Sequence, residues 1–172
     1  MDCLTALRQR SMTRYMDNGA GNAGRDPTHD ALDNQTMARL GQIVEQAAAN
    51  QPISCNRMDE LAAEHGVPAS HLYASAAAVT TVEFAREYKT AFVVCGGGCQ
   101  NFGSLELLQQ LIDTRKPRLK AWFKKAFDIQ TRGCLNRCEQ APVVRLHTTD
   151  GVAYLERATE NDLVDAIKMT CR

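Results

Sequence analysis

Four cysteines, arriving as two matched pairs in the second half of the chain, constrain its fold more than anything else in the sequence. Cys95 and Cys99 stand in VVCGGGCQNFGS, and Cys134 and Cys138 in RGCLNRCEQAPVV, with three residues between the members of each pair. Each pair follows a short apolar or β-prone run and precedes residues that can leave in a new direction. The thiols are therefore expected on loops at strand ends, on the same side of a small sheet. Four soft, deprotonated sulfurs converging there suit an iron–sulfur cluster or zinc.

The rest of the cysteine usage points the same way. Seven is an odd number, and close-spaced pairs without a signal peptide ahead of them argue for a reducing, cytoplasmic setting rather than a secreted disulfide scaffold. Cys3 and Cys171 read as free thiols near the termini. With 20 basic and 20 acidic residues the formal charge is zero, which gives no general reason to expect nucleic acid or a membrane surface as partner. No apolar run has the length to span a bilayer, so membrane insertion is not expected. Arg8, Arg10 and Arg14 with Leu4, Leu7 and Tyr15 could suggest a transit peptide. The segment is short and runs into a Gly/Asn loop, and a disordered tail or an amphipathic turn fits it better.

Taken in order, residues 1–35 read as a flexible tail, including the polar, glycine-rich linker at 17–34, where His29 is expected to be exposed. Helical periodicity begins at Thr36, with Met37, Leu40, Ile43, Val44 and Ala47 on one face and an end before Pro52. A second helix is capped by Ser54 or Asn56 and stopped by Gly66 and Pro68, with Met58, Leu61 and Ala62 inward. A third runs from Pro68 or Ser70 through HLYASAAAVTTVEF. Residues 36–87 thus form a helical bundle, read as a subunit-docking element. Within it Cys55 reads as a half-buried structural thiol, and His65 and His71 as surface or capping residues.

At Lys89 the period changes. KTAFVVC is a strand delivering Cys95, and the glycines at 96–98 can bring backbone N–H groups close to a bound centre. Ser104 is expected to cap a helix with Leu105, Leu108, Leu111 and Ile112 inward. The six basic residues from Arg115 to Lys125 form a solvated face around Trp122 and Phe123, or a docking patch for an acidic subunit. FDIQTRGC is a second strand delivering Cys134. PVVRLHT and VAYLERA, joined at Thr-Asp-Gly, make a hairpin. His147 lies on its strand face, and Thr159 caps a last helix carrying Leu163, Val164 and Ile167. A right-handed crossover makes the first two strands parallel. The expected fold for residues 88–172 is a four-stranded mixed sheet flanked by helices, the architecture of a thioredoxin-like domain, and the whole chain is α+β. Pro142, after the second pair, stands where such folds often place a cis proline.

Three chemistries compete for the four thiols. A [2Fe–2S] cluster takes four thiolates around two irons. Structural zinc also takes four cysteines, although its knuckles usually space them more tightly. A thiol–disulfide centre would more naturally use C-x-x-C at a helix start. The spacing favours the cluster and leaves zinc open.

Local words add a resemblance. Over about residues 36–170 the chain resembles the thioredoxin-like [2Fe–2S] subunit of respiratory complex I and its counterparts in NAD-linked formate dehydrogenases and NAD-reducing hydrogenases. The words that carry it are MDELAAEHGVPASHLYASAAAVTTVEF, VVCGGGCQNFGSLELLQQL and GCLNRCEQAPVV. The resemblance implies that Cys95 and Cys99 bind one iron, and Cys134 and Cys138 the other. Two departures stand out. The family's first pair is usually separated by four residues, not three, and Asn136 and Arg137 replace small residues. A cationic Arg137 beside the centre would raise its potential.

No residue reads as acid, base or nucleophile. Nor does a GxGxxG open a helix after a strand, so the FMN and NAD(H) that the resemblance implies belong to a partner subunit. The expectation is an electron-transfer subunit of a multisubunit oxidoreductase. The competing expectation is a zinc-bound or metal-free scaffold subunit of the same architecture.

Overall fold

The computed structural model of the protein describes residues 28–115 and 127–170. Most of the N-terminal tail, Cys3, Cys171, and the basic run after Arg115 with Trp122 and Phe123 lie outside them.

Three helices lead. Helix α1, Asn34–Ala48, starts where the Asp33 carboxylate accepts the Thr36 N–H and ends in two left-handed residues, Ala49 and Asn50. Helix α2, Cys55–His65, has Ser54 as its cap and Gly66, at φ 63°, as its stop, as the sequence predicts. Helix α3, Ala69–Ala76, is much shorter than expected. Its last turn tightens, with the N–H groups of Ala77, Ala78 and Val79 reaching three residues back. Val79, Thr80, Thr81 and Val82 follow, β-branched residues that resist continued helix. The chain instead leaves to pair Phe84 with Ile53 in an isolated parallel bridge.

The sheet has the order β2-β1-β3-β4. Strand β1, Ala91–Cys95, is buried throughout and lies beside β2, Asp128–Arg132, in parallel. On its other side it meets β3, Val144–Thr148, antiparallel, and β3 turns through Thr149 and Asp150 into β4, Gly151–Leu155. The turn is closed by the Asp150 N–H on the Thr148 hydroxyl and by Gly151 at φ 130°. Helix α4, Ser104–Arg115, connects β1 to β2, and α5, Glu160–Thr170, closes the chain. The architecture is the expected one: helices first, then a four-stranded mixed sheet with flanking helices.

Two caps differ in outcome. Thr159 and Asp162 form a reciprocal box, the Thr159 N–H and hydroxyl on the Asp162 carboxylate and the Asp162 N–H returning to the hydroxyl. Ser104 does not cap α4. It is the first helical residue, its hydroxyl is buried without a partner, and the Gly103 carbonyl accepts the first bond, from Leu107.

One buried cluster runs through the whole arrangement. Leu40, Val44, Met58, Leu72 and Tyr73 from α1–α3 join Phe92, Leu108, Ile112, Phe127, Ile129, Leu146 and Leu163. Tyr73 stacks on Phe84 at 5.7 Å, and Phe92 meets Phe127 edge-on at 5.1 Å. Cys55 is fully rather than half buried, its Sγ accepting the Ile129 N–H at 3.3 Å. No helix among the described residues is long and apolar enough to cross a membrane.

Candidate metal centre

The parallel pairing of β1 with β2 carries both cysteine loops to one end of the sheet. Cys95 ends β1 opposite Arg132, and Cys134 follows two residues later. The Gly96 N–H donates to the Arg132 carbonyl at 2.8 Å, extending the ladder past the strand end. A 3-10 turn over Gly98–Phe102 then presents Cys99, and a second over Cys138–Gln140 begins with Cys138. The Ala141–Pro142 peptide is cis, and the chain enters β3 directly after it.

The two pairs are not equivalent. Cys95 and Cys99 are buried, at 2% and 3% exposure, whereas Cys134 and Cys138 are exposed. Val93, Leu135, Ala141 and Val143 form a small apolar cluster with the first pair, and Phe102 and Tyr154 pack against it. In the second pair the sulfurs lie 3.5 Å apart. Asn136 takes the left-handed conformation at φ 56° and points its N–H at Cys134 Sγ, 3.2 Å away. Asparagine tolerates that conformation better than most residues, which gives this departure in CLNRC a local reason.

Backbone N–H groups converge on the first pair. The Cys95 thiol is brought down to about 6, first by the hydrogen bond from Cys99, then, against its burial, by the N–H groups of Gly97, Cys99 and Leu135. Cys99, the donor, is pushed up by that bond, by burial and by the Cys95 charge. Cys138 is pushed up by its bond with Cys134 and by burial. Cys138 also feels the charge of Cys95, and Cys99 that of Cys138.

This donor set suits an anionic thiolate centre, because N–H groups aimed at sulfur favour its charged form. Its grouping is informative as well. Among the described residues no three His, Cys, Asp or Glu side chains gather in one group. The thiols come in twos.

Arg137 does not present a bare charge to this site. It pairs with Glu156 and lies over the Tyr154 ring, 4.2 Å from its centroid. An open cleft over the second pair is lined by Cys134, Cys138, Arg137, Glu139 and Glu156.

Sequence reasoning missed Gln100. Its buried side chain donates to the Gly96 carbonyl and accepts the Leu32 N–H at 2.9 Å. The backbone N–H groups of Thr28 and His29 also reach the Asn101 carbonyl. The polar stretch ahead of α1 is thus tied to the first cysteine loop, although His29 itself is exposed as expected. A glutamine inside a glycine-rich word gives no periodic signal that could have revealed this. His65 is exposed, while His71 and His147 are partly buried and held below the usual histidine range chiefly by that burial. No model of a protein family matches the chain, and a search of curated proteins finds no match either.

Proposed function

We propose that this protein is an electron-transfer subunit carrying one [2Fe–2S] cluster, with Cys95 and Cys99 on one iron and Cys134 and Cys138 on the other. The observation that carries the reading is the pairing itself: two thiol pairs on loops that follow adjacent parallel strands. A single tetrahedral ion asks for three or four donors in one group. A two-iron centre asks for two thiolates per iron, and Cys95 meets Cys99 as Cys134 meets Cys138. When bound, such a centre supplies one-electron transfer. The chain's own residues supply the rest: N–H groups that favour thiolate, an apolar cover that excludes water from the first pair, and an exposed second pair.

Hydride chemistry would belong to a partner. The glycines at 96–98 lie between Cys95 and Cys99 and lead into the 3-10 turn over Gly98–Phe102 rather than opening a phosphate-binding helix. We place the protein beside an FMN- and NAD(H)-binding subunit, in an oxidoreductase of formate dehydrogenase, hydrogenase or complex I type, as the sequence resemblance implies. The test is spectroscopic. Anaerobically purified protein should show visible charge-transfer bands that bleach with dithionite as a paramagnetic signal appears. A colourless, redox-silent protein would leave a zinc-bound or metal-free scaffold.

A further inference from the structure

The end of helix α3 touches both cysteine loops. A Cβ built on Gly96 would lie 2.7 Å from the Ala77 Cβ and 3.0 Å from the Ala74 carbonyl oxygen. One built on Gly133 would lie 3.3 Å from the Ala77 carbonyl oxygen. The loops meet each other just as closely, since a Cβ on Gly97 would fall 2.2 Å from the Gly133 carbonyl oxygen. Gly98, by contrast, faces open space. Gly96 directly follows Cys95, and Gly133 directly precedes Cys134. The Thr131 hydroxyl, on β2, bonds the Tyr73 carbonyl and ties the same helix to the strand that delivers Cys134.

We infer that Ala77 is a positioning residue: its methyl and carbonyl set how closely the Cys95 and Cys134 loops approach, and so couple α3 to the metal centre. The inference rests on the electron-transfer reading only for what the spacing serves; the packing stands without it. Side chains at Gly96 and Ala77 compete for one space, whereas a side chain at Gly97 collides with the opposite loop whatever stands at position 77.

That asymmetry gives the test. Gly96→Ala, Gly97→Ala, Ala77→Gly and the Gly96→Ala/Ala77→Gly and Gly97→Ala/Ala77→Gly doubles would be made in the full chain, with circular dichroism to establish folding. Alkylation of Cys95 in the metal-free protein, followed by mass spectrometry, reports how tightly the loops close. Iron retention and the EPR line shape of the reduced protein report the centre. Gly96→Ala should open Cys95 to alkylation by about tenfold and hasten iron loss. Ala77→Gly should restore most of that change, leaving the 3.0 Å contact with Ala74 as the residue of the effect. It should not rescue Gly97→Ala. Equal rescue of both glycine variants, or none of Gly96→Ala while all fold, would overturn the inference. Wild-type protein that takes up no iron would remove the electron-transfer reading, while the alkylation rates would still decide the role of Ala77.

Discussion

Gln100 and Asp128 are buried polar side chains that hold backbone in place on opposite ends of the sheet. Gln100→Ala strips partners from the Gly96 carbonyl and the Leu32 N–H and should cost about 1–3 kcal/mol in urea unfolding, the penalty for unpaired buried groups. Asp128 accepts the N–H groups of Glu87 and Tyr88, at 2.9 and 2.8 Å. Burial nevertheless pushes its carboxyl above the ordinary range, with those N–H groups pulling the other way. A carboxyl raised on folding is bound to its proton more tightly in the native state. Its contribution to stability is then greatest below the unfolded value of about 3.9 and falls as pH rises from there through the native value. Asp128→Asn keeps an acceptor oxygen and should remove that contribution, seen as the difference between variant and wild-type unfolding free energies across the acid range. Asp128→Ala should be less stable than either at neutral pH. At this scale the sequence is only partly legible. A cap such as Thr159 announces itself by its neighbour Asp162, whereas Ser104 looks like a cap and is not one, because Gly103 already supplies the carbonyl and the serine turns inward.

Elements were easier to read than their ends. Apolar or β-prone runs and helical periodicity locate the strands and helices, and the Thr-Asp-Gly turn locates the hairpin. The stop of α3 was hidden, because its alanines run on into Val79–Val82 and only the pairing of Phe84 with Ile53 draws the chain away. The cysteine pairs themselves were fully visible, but their unequal burial was not, since it depends on Leu135, Val143 and Tyr154 arriving from other elements. The loop CLNRC illustrates the difference. From sequence alone Arg137 is a cation next to a thiol. In the fold, Glu156 on the chain leaving β4 meets that charge. If the loop carries a redox centre, Arg137→Gln should lower its midpoint potential by leaving Glu156 uncompensated, and Glu156→Gln should raise it by freeing the cation. The double variant should lie between them. Potentiometric titration of the three variants would read the signs, and shifts in the same direction from both single variants would deny the pairing any electrostatic role.

At the scale of the whole molecule, α1–α3 and the sheet share one hydrophobic core. Leu108 shows what that sharing means, since it is fully buried and α4 packs against both α3 and β1. Leu108→Ala should cost about 2–5 kcal/mol and loosen the helices and the sheet in a single transition by hydrogen exchange, rather than in two. The same continuity lets the end of α3 bear on both cysteine loops. The broad architecture follows from the order of elements and the crossover rule, but the close approach of three backbone segments at Ala77, Gly96 and Gly133 could not be read from a pattern of residue types. The central claim is that four thiols, grouped in twos, hold two irons. Iron, acid-labile sulfide and zinc analysis of anaerobically purified wild-type protein tests it most directly. About two irons and two sulfides per chain are expected, lost together on replacing any of Cys95, Cys99, Cys134 or Cys138; stoichiometric zinc without sulfide, or intact thiols with no metal, would contradict it.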